Sequence, residues 1–231
     1  MPSGEGTRET LRVARAWRSL VRAGADLVAI AAAGRVVHDT PRSLVVVAET
    51  AAGPLVVKRS RRQERSRWLQ ATGWWRPGEG VRAFDLLERL AADGLPVPEP
   101  VAAADTRRGG LVVASWPAYR LVEGSPGTGG DPPAVARVLA RMHARGWVHR
   151  DPHVRNFLRS GDRLVLLDVV SVRRRHSSWA RAYDYALLEK CCPGWCAGTA
   201  GVPVAASWLR LARVGCRAMV AWRALKRRIR F

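Results

Sequence analysis

The chain has 231 residues, with 39 lysines and arginines against 19 aspartates and glutamates, a formal charge of +20. Its length fits one large domain or two small lobes, and an apolar share of 48% supplies a sizeable core, which excludes a disordered basic tail. No apolar run approaches the ~18–20 residues of a membrane span. The stretch 27–33 is too short, and Arg22 and Arg35 flank it. The first residues lack the basic start, apolar middle and small-residue cleavage site of a secretory signal, so a cytoplasmic protein is expected. The charge favours anionic partners: nucleic acid, phosphorylated ligands or an anionic membrane face.

Arginine supplies 36 of the 39 basic residues, and lysine occurs only at Lys58, Lys190 and Lys226. A GC-rich genome produces such a bias without functional cause, which makes any lysine at a chemically special position conspicuous. Three of the four cysteines crowd at positions 191, 192 and 196, with the fourth at 216. No histidine follows at ligand spacing, so neither a zinc site nor a disulfide is expected there.

In chain order, residues 1–25 read as a polar start followed by a short basic helical extension. Strand-like runs at 35–38, 43–48 and 54–59 are separated by Asp39-Thr40-Pro41-Arg42 and Thr50-Ala51-Ala52-Gly53, which predicts an antiparallel meander. A basic, tryptophan-containing insertion covers 59–77. A helix over 80–93 carries Phe84, Leu87 and Leu90 at helical spacing, and Gly94 stops it. Pro96, Pro98 and Pro100 then form an extended connection, and strands follow at 111–115 and 119–122. The segment 125–133 is rich in glycine and proline, and the boundary between an N-terminal lobe (1–124) and a C-terminal lobe (125–231) is placed at its start. A helix over 134–145 enters through Asp131-Pro132 and closes at Gly146. Apolar runs at 147–149 and 164–170 bracket a polar loop, and helices around 179–189 and 205–230 complete the chain.

The string His149-Arg150-Asp151-Pro152-His153-Val154-Arg155-Asn156 satisfies H-R-D-x-x-x-x-N, and Asp168 ends an apolar run twelve residues after Asn156. The spacing suits phosphoryl transfer from ATP. A hydroxyl nucleophile needs a carboxylate to orient it and take its proton, which is the catalytic role expected of Asp151. Two oxygen ligands must hold Mg2+ against the β- and γ-phosphates, and Asn156 and Asp168 are expected in that role. Taken singly, the three residues read as a turn residue before proline, a helix cap and a strand end. Their combined spacing favours the catalytic reading. Lys58, at the end of the third strand, is expected to reach the α- and β-phosphates. Glu79, Asp85 and Glu88 are available to pair with it, and Glu79, within Gly78-Glu79-Gly80, is preferred. There is no glycine-rich phosphate loop. Backbone amides near Arg42 and Ser43 are expected to cover the phosphates, with an ordinary hairpin as the alternative. Glu123 follows a strand where a hinge would present backbone groups to adenine. Asp184, in Tyr183-Asp184-Tyr185, is similar to the buried aspartate that braces the catalytic loop in kinase-like folds.

These segments together resemble the lipopolysaccharide core kinases, nearest to the heptose kinases that act on the second heptose of the core. The likeness covers residues 35–190. It implies an α+β, two-lobed protein-kinase-like fold with an antiparallel N-lobe sheet and a mainly helical C-lobe. It also implies use of ATP and Mg2+ to phosphorylate a sugar hydroxyl of an anionic glycolipid acceptor, the lipopolysaccharide core, at the inner membrane. Departures are Gly78-Glu79-Gly80 where the family tends to Gly-Glu-Ser, Asp168-Val169-Val170 in place of Asp-Phe-Gly, and no Ala-Pro-Glu segment. The last counts against an ordinary protein kinase and leaves an atypical protein kinase as an alternative. Arg59, Arg61, Arg62, Arg65, Arg67 and Arg173–Arg175 are expected to serve the anionic acceptor. In the last helix Arg210, Arg213, Arg217, Arg227 and Arg228 share one side, and Trp208, Leu211, Met219 and Trp222 fall mainly on another. Such a helix lies on the anionic inner-membrane surface or packs as an ordinary helix with a solvated basic face. A kinase-like enzyme for another small hydroxyl acceptor, such as an aminoglycoside, calls for an acidic pocket, against this charge balance. A nucleic-acid-binding module on a degenerate kinase fold has no need of the intact Lys58, Asp151, Asn156 and Asp168 set, so no nucleic-acid partner is expected.

Overall fold

The structure is a computed structural model that describes residues 6–61, 74–195 and 202–229. Expectations for Arg62, Arg65, Arg67 and Cys196, and for the side chains of Arg227 and Arg228, lie outside the described residues. The chain divides into two compact units: Met1–Ala92 with Val97–Glu123, and Asp93–Pro96 with Gly124–Phe231.

The first unit is built on a six-stranded sheet of order β1-β5-β6-β4-β3-β2, with every neighbouring pair antiparallel. Its meander is β2 (Arg35–Asp39), β3 (Ser43–Ala48) and β4 (Leu55–Ser60), at the positions where β-branched runs and turn residues predict strands. The N-terminal segment corrects the sequence reading. It is not a helical extension but a strand, β1 (Arg8–Val13), paired along its length with β5 (Pro100–Arg108). The alternation of Leu11 and Val13 with Thr10 and Arg12 explains this: period two places the two apolar side chains on the core. Runs expected at 111–115 and 119–122 are a single strand, β6 (Leu111–Arg120). Pro117 does not break it, because the β6–β4 ladder covers only Ala118 to Arg120 and the proline falls just beyond its end.

Two helices cover this sheet, and the alanines of β5 show how. Ala102 and Ala104 join the cluster containing Leu27 of α1 (Gly24–Ala33), whereas Ala103 packs with Val81 and Phe84 of α2 (Glu79–Ala92). Successive strand residues face opposite ways, so the helices occupy opposite faces, and methyl side chains let both approach closely. The buried face of α2 holds Val81, Phe84, Leu87 and Leu90 at the predicted spacing. Burying each of these larger side chains contributes about 1.5–3 kcal/mol.

The second unit is mainly helical. Asp131 precedes α3 (Pro132–Ala144), whose first residue is a proline that has no amide to leave unpaired. Gly146 follows its end at φ 78, where a Cβ would lie 2.4 Å from the His176 ring. Next come β8 (Trp147–Val148), a short 3-10 turn (Val154–Asn156), β9 (Phe157–Ser160), β10 (Arg163–Leu166) and β11 (Arg173–Arg174). Strand β7 (Ser125–Pro126) pairs with β9, and β9 with β10, while β11 pairs with β8.

The last two helices are α4 (Ser178–Cys191) and α5 (Ala206–Ile229). They join through Ala182, Ala186, Ala212 and Cys216. Gly215 of α5 lies against Trp179, whose ring a Cβ there would meet at 2.8 Å. Away from α4, α5 presents an apolar, open stripe beside exposed basic residues. Trp208, Leu211, Val214, Trp222 and Leu225 are all exposed along one stripe, with Arg210, Arg217 and Lys226 beside it. No described helix is long and apolar enough to cross a membrane.

Candidate active site

The loop 149–156 is held from below by one buried side chain. Asp184 of α4 is 1% exposed. Its Oδ2 accepts the His149 amide at 2.7 Å and lies 2.9 Å from His143 Nε2, while its Oδ1 accepts the Arg150 amide at 2.7 Å. Arg150 is the one non-glycine with positive φ (69°) among the described residues. A side chain in that region costs about 1–2 kcal/mol. The Asp184 hydrogen bond holds the amide of this strained residue, immediately before Asp151.

The hairpin β9–β10 brings Asn156 and Asp168 together. Phe157 pairs with Leu166, and the Leu167 amide donates to the Asn156 carbonyl at 2.9 Å, so Asp168 leaves the hairpin beside Asn156. Asn156 Nδ2 donates to the Asp151 carbonyl at 2.8 Å, which leaves Oδ1 as its acceptor atom. Asp168 Oδ1 accepts the Val170 amide at 3.3 Å. One amide oxygen and one carboxylate are hard oxygen donors suited to Mg2+, which completes its octahedron with phosphate and water. Among the described residues no group of three or more His, Cys, Asp or Glu gathers as a metal cage.

His149 is fully buried. Burial pushes its imidazole below the usual range, outweighing the carboxylates of Asp184, Asp168 and Asp151, which favour the charged form. Its Nδ1 accepts the Asp151 amide at 3.3 Å, and its ring packs 5.5 Å from that of Phe157. Asp151 lines a pocket of about 470 Å3 together with Arg150, Tyr183, Leu187, Lys190 and Met219, drawn from the loop, α4 and α5. Sequence reasoning had singled out Lys190 only for its rarity.

In the first unit Lys58 sits in β4 opposite Val45. Among the described residues no carboxylate comes within ion-pair distance of it. Asp85 pairs with Arg12 at 3.5 Å, Glu88 is exposed, and the Glu79 carboxylate accepts the Ser60 hydroxyl at 2.7 Å. Burial lowers the Arg82 pKa, and the charge of Glu79 opposes that shift. The turn before β3 is an ordinary hairpin whose Thr40 Oγ1 accepts the amides of Ser43 at 3.2 Å and Arg42 at 3.4 Å. The two donors expected to cover phosphates are engaged inside the turn. Glu123 is exposed just after β6.

What fixes Glu79 was not visible in the sequence. Asp105 of β5 and Ser115 of β6 are both fully buried. Asp105 Oδ2 accepts the Gly78 amide at 2.7 Å, its Oδ1 accepts the Ser115 hydroxyl at 2.7 Å, and Ser115 Oγ accepts the Gly80 amide at 2.6 Å. Burial raises the Asp105 pKa against these bonds and that from Val81. The first amides of α2 thus find their acceptors on the sheet rather than in a local cap. A Cβ at Gly78 would lie 2.5 Å from Asp105 Oδ1, and one at Gly80 2.8 Å from Ser115 Oγ. The glycines on either side of Glu79 are there for clearance.

The thiols of Cys191, Cys192 and Cys216 are free. Burial pushes Cys192 up to about 11, which keeps it protonated and a poor ligand.

No family model and no curated protein matches the chain. Among solved structures it is similar to WaaP in complex with acyl carrier protein, at 18% identity and a TM-score of 0.50, covering 94% of this chain and 97% of that one. The fold is that of the kinases. The α+β, kinase-like class expected from the sequence, with an antiparallel sheet followed by helices, is therefore the observed one. The kinase domain of Mycobacterium tuberculosis PknI also matches, at 17% identity and a TM-score of 0.47, over 68% of this chain and 70% of that one. Within the kinase-like fold, the segment around Asp151 occupies the loop that Asp184 braces, and Lys58 the strand that precedes α2.

Proposed function

We propose that the protein is an ATP-dependent phosphotransferase that phosphorylates a hydroxyl of an anionic sugar acceptor, a lipopolysaccharide core heptose being the acceptor its motifs favour. The observation that carries this reading is the loop itself. A buried carboxylate and a strained backbone fix the residue before Asp151, while the β9–β10 hairpin joins the Asn156 and Leu167 backbones one residue before Asp168, which supports the pairing of Asn156 with Asp168. Asp151 orients the acceptor hydroxyl and accepts its proton as the phosphoryl group departs. Asn156 and Asp168 hold Mg2+, which when bound neutralises charge on the β- and γ-phosphates. Lys58 carries the α- and β-phosphates and Glu79 is its partner in the nucleotide-bound state, with Glu123 on the nucleotide side. The open stripe of α5, apolar with basic residues beside it, supports a peripheral position on an anionic inner-membrane surface, on the cytoplasmic side.

Titration calorimetry with Mg-ATP and a transfer assay on purified core oligosaccharide test the roles. Asp151→Ala is expected to keep Mg-ATP affinity while transfer falls by roughly 10²–10⁴-fold. Asp168→Ala is expected to weaken nucleotide binding and transfer together. Full transfer activity in Asp151→Ala would remove the mechanism.

A further inference from the structure

Only three lysines occur in this arginine-rich chain. Lys58 lies within β4 of the sheet, and Lys226 lies 5.8 Å from the Trp222 ring centroid. The remaining one, Lys190, stands in the last turn of α4 and lines the pocket that contains Asp151. At about 470 Å3 this pocket is in the size range of a small-ligand site. One wall is apolar, with Leu187 beside Tyr183 and Met219, whose hydroxyl and sulfur meet at 3.2 Å. Two cations, Arg150 and Lys190, line the pocket with Asp151, next to Pro152, His153 and Cys191. Neither makes an ion pair among the described residues. The acidic neighbour of Lys190 in sequence, Glu189, is occupied by Arg213 through two hydrogen bonds of 2.6 and 2.9 Å. Arg150 is further constrained because its amide is fixed to Asp184 at positive φ.

We propose that this pocket receives the acceptor, and that Lys190 together with Arg150 binds an anionic substituent, a phosphate or a carboxylate, carried by the acceptor close to the hydroxyl presented to Asp151. The inference rests on the phosphotransferase reading and adds the subsite that would select its anionic acceptor over an amino sugar. A lysine ammonium is a compact point charge that can meet one oxyanion group, and the arginine fork adds a second, directional contact. The same two charges repel a cationic acceptor.

Saturation-transfer NMR on the full chain, without nucleotide, tests this with glucose 6-phosphate, glucuronate, glucose and glucosamine as probes. Glucose 6-phosphate or glucuronate, or both, is expected to bind, and glucose and glucosamine to bind at least tenfold more weakly, on the order expected for charged hydrogen bonds. A preference for the first probe identifies phosphate as the group recognised, and a preference for the second identifies carboxylate. Lys190→Gln is expected to weaken the anionic probes by about 10- to 100-fold, and Lys190→Arg to restore most of that loss. Equal binding of glucose and glucose 6-phosphate, no binding of either anionic probe, or an unchanged affinity in folded Lys190→Gln overturns the proposal. Failure of the phosphotransferase reading looks different. Anionic probes would still bind and depend on Lys190, but no acceptor would be phosphorylated. Transfer to glucose and glucose 6-phosphate with equal kcat/KM would instead keep the enzyme and remove the subsite.

Discussion

Gly80→Ala is the most direct test of how α2 is seated. At an unencumbered helix position the change from glycine to alanine stabilises by about 1 kcal/mol. At position 80 the new Cβ would meet Ser115 Oγ at 2.8 Å and the amide nitrogens of Trp116 and Pro117 at 3.1 Å. The hydroxyl cannot turn away freely, because it accepts from the Gly80 amide and donates to Asp105. The other two atoms belong to the backbone of β6, which is held there by its pairing with β5. Overpacking of this kind costs about 1–3 kcal/mol. The expected outcome is a reversed sign, with Gly80→Ala less stable than the wild type by chemical denaturation. Ser115→Ala removes the nearest obstructing atom, so the added cost of Gly80→Ala is expected to shrink in that background by about 0.5–1.5 kcal/mol. Transfer activity is expected to fall with stability, since Glu79 lies between the two glycines. A Gly80→Ala protein at least as stable as the wild type refutes the account of the Gly-Glu-Gly segment.

Two further outcomes follow from burial and exposure. The folded protein resists protonation of His149, whereas the unfolded chain takes up that proton near 6.5, so this residue removes stability as pH falls below that value. Its share is a slope of up to about 1.4 kcal/mol per pH unit, and His149→Phe is expected to flatten the stability profile between pH 6.5 and 5; an unchanged slope refutes the assignment. Asp105 contributes with the opposite sign, its stabilisation being present at low pH and lost as pH rises through its raised value, and the His149 comparison cancels it. On α5, replacing Trp208 and Trp222 by alanine is expected to lower binding to anionic vesicles by about tenfold or more, the effect of losing apolar insertion worth 1.4 kcal/mol. Deleting residues 223–231 is expected to reduce the salt-sensitive part of the same binding, and flotation assays that show no change in either variant return α5 to an ordinary packing role.

What could be read from the sequence was what the chain keeps local. The meander 35–60 announces itself through β-branched runs and turn residues, and the helices through apolar spacing and their glycine or proline ends. The segment from His149 to Asn156 was equally legible as one polar loop, because its residues are contiguous and bracketed by apolar runs. Strand β5 was not, because Val101-Ala102-Ala103-Ala104 has weak strand propensity; its alanines are selected for thinness between two helices, which only the assembled sheet requires. The merger of two predicted strands into β6 turned on where the ladder to β4 ends, again a property of the neighbour and not of Pro117.

The same division separates the candidate residues of each unit. Asp184 could be suspected from its apolar surroundings, yet the strain it holds at Arg150 has no sequence signature, since arginine carries no preference for positive φ. On the nucleotide side, Gly78-Glu79-Gly80 was read as a motif around a carboxylate, with the weight placed on Glu79. The structure shifts that weight to its flanks. Asp105 and Ser115, 27 and 35 residues downstream of the amides they receive, leave room for hydrogen at positions 78 and 80 and for nothing larger. A carboxylate buried at that depth is costly, and its pKa is raised accordingly. Fixing the helix start that carries Glu79 against the sheet that carries Lys58 is what the buried group accomplishes, and both partners belong to the same compact unit. The Gly-Glu-Gly segment is therefore a packing solution first. It is a candidate for the site only because the residue between its glycines is an acid.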